Sequence, residues 1–307
     1  MALLSPGQRD QIPYERPFRI LSSCLMKTLL DTLRAGTGYL EKHGVDEARL
    51  NMEHLLAHVL GCRRLDLYLR FGEVLQEPDL EKLRVLIKRR AEGEPLQHLL
   101  GTVDFLGLEL VSDQRALIPR PETEYLCDLL IKHYGQTPPM RVLDMATGSG
   151  CIGLTLATAW KGSQVVLADI SEQALDLARL NASRLGLERV QILRSDLFEK
   201  MSGQFDLIVS NLPYIPSGEI SSLSREVRRD PVLALDGGPD GLDIVRRFLA
   251  DAPARLTPGG AIALEVGHDQ GHTAAQHASG LGYGSAMVRA DLAGVERFVF
   301  ADAPSEN

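Results

Sequence analysis

Asn211-Leu212-Pro213-Tyr214 is the stretch of this chain best equipped to handle a planar NH2 group. It follows Phe205-Asp206-Leu207-Ile208-Val209-Ser210, which reads as a buried strand with a polar end. An Asn held at the carboxyl edge of a parallel sheet offers a side-chain carbonyl, and the next backbone carbonyl supplies a second acceptor, one for each N–H. An aromatic ring beyond Pro213 can lie against the plane of the same group. Taken alone, the tetrapeptide reads equally well as a tight turn with a packed Tyr.

A glycine loop upstream changes that balance. Asp144-Met145-Ala146-Thr147-Gly148-Ser149-Gly150 joins a strand at 142–145 to a helix at 152–160. Gly148 and Gly150 permit a tight turn and close approach of a ligand to the backbone. With Gly153 they spell G-x-G-x-x-G, the dinucleotide fingerprint. Asp169 ends the next strand at the distance that suits ribose hydroxyls, so an NAD-dependent oxidoreductase is one reading. Two features favour S-adenosylmethionine. Asp144 precedes the glycines, where a carboxylate suits the ammonium of a methionine moiety, directly or through water. The same charge would repel a pyrophosphate, which seeks helix N-terminal N–H groups. Asp196, in Ser195-Asp196-Leu197 after the third strand, is placed to accept a bond from an adenine amino group. Each Asp singly reads as a loop or cap residue. At three successive strand ends beside a glycine loop, they read together. The candidate cofactor residues are Asp144 and the loop at Ala146, Thr147, Gly148, Ser149 and Gly150, then Asp169 with Ile170, Asp196 with Leu197, and Asn211.

The elements that must hold these residues show an alternating pattern from Arg141. Strands are predicted at 164–169, 190–193, 205–209 and 261–266, with helices at 171–185 and 242–256 between them. A closing edge strand is expected at 296–300. Alternation of this kind gives an α/β fold, a Rossmann-like parallel sheet covered on both faces, with ligands beyond the carboxyl ends of its strands. Glu265 ends a strand and reads as a cap for the segment beyond it.

Residues 20–94 read as a small helical domain. Leu29, Leu30, Leu33 and Leu40 have helical spacing, as do Leu50, Leu55, Leu56, Val59 and Leu60 before Gly61. A third helix spans 79–90, and Lys88-Arg89-Arg90 reads as its solvated basic end. His54 and His58 share a helical face without a third ligand, so no metal is expected. A β-hairpin linker is expected over 95–115, taking in Pro95 to Gly101, and the catalytic domain over 116–307. Residues 1–19 read as a loose polar tail without a secretory signal.

The chain has 307 residues, 44% hydrophobic and 24% charged, enough for two ordinary domains. Its net charge of −8 disfavours a protein whose affinity comes from neutralising many phosphates, so no direct nucleic-acid partner is expected. No apolar run is long enough to span a membrane. Cys24, Cys62, Cys127 and Cys151 form no CxxC pair and read as thiols in a reducing compartment, which points to the cytoplasm.

From about Leu29 to Phe300 the chain resembles the HemK/PrmC-type release-factor glutamine methyltransferases. The resemblance rests on Pro95-Leu96-Gln97-His98, on Ile118-Pro119-Arg120-Pro121-Glu122-Thr123-Glu124, on the loop at Asp144 to Gly150, and on Ser210 to Ile215. Glu226, Asp230-Pro231, Ala234-Leu235, Gly238 to Leu242, Leu264 to Gly267 and Gln270-Gly271 complete it. It implies a class I methyltransferase fold using S-adenosylmethionine and releasing S-adenosylhomocysteine. The implied target is the side-chain amide nitrogen of the Gln in the Gly-Gly-Gln motif of class I peptide chain release factors. Asn211, Leu212, Pro213 and Tyr214 would grip that Gln, with Arg120 and Glu122 flanking the entrance and the helical domain contacting the release factor. A monomer is implied. The chain departs from the family pattern at Leu212, where the first Pro of Asn-Pro-Pro-Tyr is usual, and at Ala146, usually Gly. Leu212 keeps the carbonyl and, preceding Pro213, the bias to extended backbone. A methyl at 146 is tolerable if φ is negative. The ribosomal-protein glutamine methyltransferase is the nearest alternative, which the Arg120 to Thr123 stretch disfavours. An adenine-N6 DNA methyltransferase would need a basic groove and a base-reading domain. A catalytically silent adaptor would not need Asn211 and Tyr214.

Overall fold

The computed structural model describes residues 28–304, so the expectations for 1–19 and for Cys24 lie outside the described residues. The chain divides into two compact units between Glu92 and Gly93.

The first unit packs α1 (Leu29–Lys42), α2 (Ala48–Leu60) and α3 (Glu77–Ala91) around Leu29, Leu40, Met52, Leu55, Leu56 and Leu83. Thr28 and Asp31 form a reciprocal capping box that satisfies two otherwise unpaired N–H groups at the start of α1. A Cβ at Gly36 would fall 2.4 Å from Met52 Sδ, so this glycine sets how closely α1 meets α2. The basic end of α3 is not all solvated. Arg90 is buried, and its Nε donates to Asn51 Oδ1 on α2 at 2.7 Å. Buried Glu53 accepts from Arg64, Arg49 and Tyr68.

The second unit opens with a single helical turn, α4 (Leu96–Leu100), closed by Gly101 at φ 75°. The stretch from Pro95 to Gly101 is therefore helical and not part of the hairpin, which is confined to β1 (Thr102–Phe105) and β2 (Leu108–Val111). Next come α5 (Pro121–Tyr134), β3 (Arg141–Met145), α6 (Cys151–Ala159), β4 (Gln164–Asp169), α7 (Glu172–Arg184), β5 (Gln191–Arg194) and β6 (Phe205–Asn211). Pro121 starts α5 at a position where its missing N–H costs no helical bond. The chain ends with α8 (Asp243–Asp251), β7 (Leu256–Glu265), α9 (Gly271–Gly280), β8 (Gly284–Ala290) and β9 (Glu296–Asp302). α8 is shorter than the helix expected at 242–256. It gives way to a 3-10 turn at Ala252–Arg255 around Pro253, which cannot donate to a helical ladder.

The sheet order is β5-β4-β3-β6-β7-β9-β8. The first five strands run parallel, while β9 is antiparallel to both β7 and β8. The sheet is thus mixed, and 296–300 is an inner strand instead of the edge. The edge on that side is β8, whose residues alternate between half-buried and exposed and lack the continuous apolar run of the inner strands. Successive residues of the central strands feed opposite cores. Leu143, Ile208, Ile262 and Leu264 meet Phe248 and Leu249 of α8. Val142, Leu207 and Val209 meet Leu154 and Leu156 of α6 and Leu126 and Leu130 of α5. The chain reverses direction across the sheet between β3 and β6, which leaves a crevice beyond their carboxyl ends. Among the described residues, no helix is long and apolar enough to cross a membrane.

Candidate active site

The strand pairing brings the two sequence motifs to one place. Met145 lies opposite Ser210 in the β3–β6 ladder, so the glycine loop and Asn211 emerge side by side at the switch point. Ser210 Oγ donates to Met145 O at 2.5 Å, tying the two exits together. On its other side Asn211 is in register with Glu265 at the end of β7.

Asp144 is fully buried behind the loop. Its Oδ2 accepts from Thr147 Oγ1 at 2.5 Å and from Gly153 N at 2.8 Å, so it holds the loop and the first turn of α6 in shape. No part of it reaches the cavity, because those two donors draw the carboxylate inward, and its Oδ1 has no hydrogen-bond partner. A Cβ at Gly153 would lie 2.6 Å from Leu167 Cδ1 and 3.0 Å from Asp144 Oδ2. The third glycine of the fingerprint is thus a packing residue. Gly148 and Gly150 have φ of 56° and 87°, as a tight ligand loop requires.

Burial pushes the Asp144 carboxyl up to about 7, against the pull of the Thr147 hydroxyl and the Gly153 N–H and with the help of Asp169. Folding therefore favours the protonated form. The stabilisation from this group is complete below about pH 4 and is lost as pH rises through about 7. Asp144→Asn should accordingly show a smaller fall in Tm between about pH 6 and about pH 8 than the wild type.

Ala146 has φ 56°, so the negative-φ condition for a methyl at this position is not met. A left-handed Ala carries strain that Gly would not, partly offset by the greater chain entropy of Gly. Ala146→Gly should raise stability by about 0.5–1 kcal/mol in urea denaturation.

A cavity of about 340 Å³ opens beyond these strand ends, a size suited to a small ligand. Ala146, Thr147, Gly148 and Ser149 form one wall, Asp169, Ile170, Asp196 and Leu197 a second, and Asn211, Leu212 and Pro213 a third. Asp169 Oδ2 accepts from Gly148 N at 2.9 Å and Oδ1 from Ser171 N at 2.8 Å, fixing the carboxylate between loop and helix. Asp196 Oδ1 accepts from Arg247 at 3.0 Å. Four expected residues do not line this cavity: Asp144, Gly150, Glu122 and Tyr214. Tyr214 is shifted up to about 12 mainly by burial, and the charges acting on it are Glu265, Arg297, Arg120 and Glu122. It therefore lies within reach of these charges and outside the cavity wall.

The partner of Arg120 is Asp230. Its Nη2 donates to Asp230 Oδ2 at 2.6 Å, and Ile118 N donates to Oδ1 at 3.3 Å. The Asp230 side chain is wholly buried, so the pair is no surface ion pair. It pins the segment whose Pro231, Leu233 and Ala234 complete the cavity wall.

The sequence assigns no role to Thr123 and a cap to Glu265, and the structure joins the two to Asn211. Thr123 Oγ1 accepts from Asn211 Nδ2 at 3.1 Å and donates to Glu265 Oε2 at 2.7 Å. Glu265 caps nothing, since the N–H of Gly267 is met by Gln270 Oε1 at 2.8 Å. The available signal was its place at the end of an expected strand, which the structure sets beside that of Asn211. Asn181 was also missed. It bonds both backbone groups of Val111 and the carbonyl of Ser149, joining β2 to the glycine loop.

Glycine-lined backbone, an acidic residue at the end of β4 and an Asn acceptor suit an adenosyl cofactor with an amino-acid tail. The fold and the site together define a class I methyltransferase whose methyl donor is S-adenosylmethionine. Family models for the PrmC N-terminal domain and the methyltransferase small domain match residues 31–101 and 122–225. The release factor glutamine methyltransferase of Deinococcus radiodurans is 44% identical over 274 residues, covering 89% of this chain and 98% of that one. That of Geobacter sulfurreducens is 41% identical over 276 residues, covering 89% and 95%. A methyltransferase structure from Pyrococcus furiosus shares the fold with a TM-score of 0.50 at 20% identity, covering 64% of this chain and 90% of that one. The chain belongs to the release factor glutamine methyltransferase family.

Proposed function

We propose that this protein methylates the side-chain amide nitrogen of the Gln in the Gly-Gly-Gln motif of class I peptide chain release factors. The observation that carries this reading is the state of Asn211. Its Nδ2 is bonded to Thr123, which leaves Oδ1 as the end available to a ligand in the cavity. Such a site asks for a donor of two N–H bonds, and a primary carboxamide is one.

When bound, S-adenosylmethionine supplies an electrophilic methyl group on a cationic sulfur. The protein's own work is positional, because an amide nitrogen is a weak nucleophile with a delocalised lone pair. Asn211 Oδ1 and the Leu212 carbonyl accept the two amide hydrogens and hold the nitrogen in line with the methyl carbon. Alignment of two bound reactants is worth roughly 7–11 kcal/mol. With the cofactor bound, its methyl would pass to this nitrogen and S-adenosylhomocysteine would leave, while the two carbonyl acceptors keep the amide in place and one amide proton is shed to solvent. Arg120, through Asp230, keeps the facing wall in place, and Tyr214, outside the cavity wall, would reach the amide plane only through a shift of its side chain. Ala146 to Ser149 and Asp169 would hold the methionine and ribose parts, and Asp196 the adenine. Asp144 acts through the loop it shapes.

The first unit is the docking module for the release factor. Its surface exposes Leu65 and Leu69 on the turn at Arg64–Leu69, at 68% and 91%. Such large apolar side chains are left for a partner. The enzyme works as a monomer in the cytoplasm, where release factors act. The test is incubation with radiolabelled S-adenosylmethionine and, in separate tubes, a class I release factor, ribosomal proteins or DNA. Label confined to the release factor's Gly-Gly-Gln peptide is the expected result. Label on ribosomal protein or DNA, with none on the release factor, would refute it.

A further inference from the structure

A carboxamide grips another carboxamide only when it is the right way round. Oδ1 and Nδ2 of Asn211 are nearly the same size, so the backbone of β6 does not decide which one faces the cavity. A reversed Asn211 would set NH2 against NH2. The deciding groups are Thr123 on α5, which lines the same cavity beside Asn211, and Glu265 at the end of β7, which does not. Thr123 is 2% exposed and Glu265 1%, so bulk water does not serve either. A hydroxyl has one proton. With Glu265 ionised, that proton goes to the carboxylate, and the Thr123 oxygen can show Asn211 only lone pairs. The Nδ2 end must then turn inward.

We propose that Thr123 and Glu265 are positioning residues that set the polarity of the Asn211 carboxamide, so that Oδ1 faces the substrate amide. The proposal rests on Asn211 being the acceptor of the substrate's amide hydrogens. The distances of 3.1 and 2.7 Å form a continuous relay from the cavity wall to a buried carboxylate. Three separate elements converge on it: α5, β6 and β7.

The relay has a pH signature. If Glu265 takes a proton, it can donate to Thr123, whose own proton is then free to face Asn211 and invite Oδ1 inward. Burial pushes Glu265 up to about 7; the Thr123 bond, Arg297 and Asn211 pull it down, and Glu122 raises it. The titratable and charged groups around it are Glu122 and Cys127 of α5, Cys151 of α6, Tyr214 after β6 and Arg297 of β9. Cys127 is shifted well above its ordinary range and Cys151 and Tyr214 to about 12, so none of these three titrates near neutrality. Activity should therefore fall as the pH drops through about 7.

The test uses the full chain, S-adenosylmethionine and a release factor, with kcat, KM and cofactor Kd measured for Thr123→Ser, Thr123→Val and Glu265→Gln. Thr123→Val should lose about 10²-fold in kcat with cofactor Kd within about twofold of wild type, and Thr123→Ser should restore most of the rate. Glu265→Gln should lose the acid limb of the kcat/KM profile that the wild type shows near neutrality. The proposal is overturned if Thr123→Val and Thr123→Ser are equally active. A parallel loss of kcat and cofactor affinity in Thr123→Val, or an acid limb that persists in Glu265→Gln, would also overturn it. If Thr123→Val does not fold, the Glu265→Gln profile decides alone. A wild type that leaves the release factor unmethylated instead refutes the functional reading, so the two failures are told apart.

Discussion

Replacing Asn211 with Ala should abolish measurable methylation, a fall in kcat of at least about 10³-fold, or about 4 kcal/mol of barrier. The size reflects what the side chain does. Of the two acceptors that hold the target amide, it is the one aimed by a side chain, and without it the nitrogen turns freely about the remaining bond to the Leu212 carbonyl. The effect should fall on kcat. Cofactor Kd, measured by calorimetry, should move by no more than about threefold, because the glycine loop and Asp169 do not depend on Asn211. The fold should also tolerate the change, since Asn211 is only partly buried and Ala fits a strand end. Equal loss of cofactor binding and rate would show that Asn211 supports the cofactor and not the substrate amide.

Arg120→Ala should destabilise the protein by about 3 kcal/mol at about pH 8, since it strands the Asp230 carboxylate in the interior. The cost should depend on pH. Burial already pushes Asp230 up to about 6, even with Arg120 pulling it down and the Ile118 N–H helping. Its contribution to stability is thus complete below about pH 4 and lost as pH rises through about 6. Without Arg120 the carboxyl moves higher still, so near about pH 5 the buried group is neutral and the variant should lose much less. Adding Asp230→Asn should recover most of the loss at high pH. Urea denaturation of the four proteins of this cycle at the two pH values measures it. A cost independent of pH would mean that Arg120 acts by packing alone.

The parts of this molecule legible in the sequence are those with a local signature. Buried parallel strands announce themselves as short apolar runs, and β3, β4 and β6 lie where those runs predict, while β7 starts at Leu256, five residues before the expected strand. The glycine loop and Asn211 each carry a recognisable local pattern, and the α/β alternation is enough to put them at one end of one sheet. Long-range partners left no such trace. Asn211 meets Thr123 across 88 residues, Thr123 meets Glu265 across 142, and Arg120 meets Asp230 across 110. Spacing along the chain cannot show these; only the folded chain brings them together. Asp144 shows a different gap. Its position before the glycines was plain, but its orientation depends on the Gly153 N–H and the Thr147 hydroxyl, which exist as donors to it only once the loop is folded. The β8 edge was hidden for a simpler reason: an edge strand that stays half exposed needs no apolar pattern.

The most direct test of the account is a crystal structure of the protein with S-adenosylhomocysteine and a release factor carrying its Gly-Gly-Gln loop. The Gln amide nitrogen should lie between Asn211 Oδ1 and the Leu212 carbonyl, at about 2.7–3.2 Å from each, and face the cofactor sulfur. A target amide held elsewhere, or an Asn211 that presents its Nδ2 to the substrate, would contradict it.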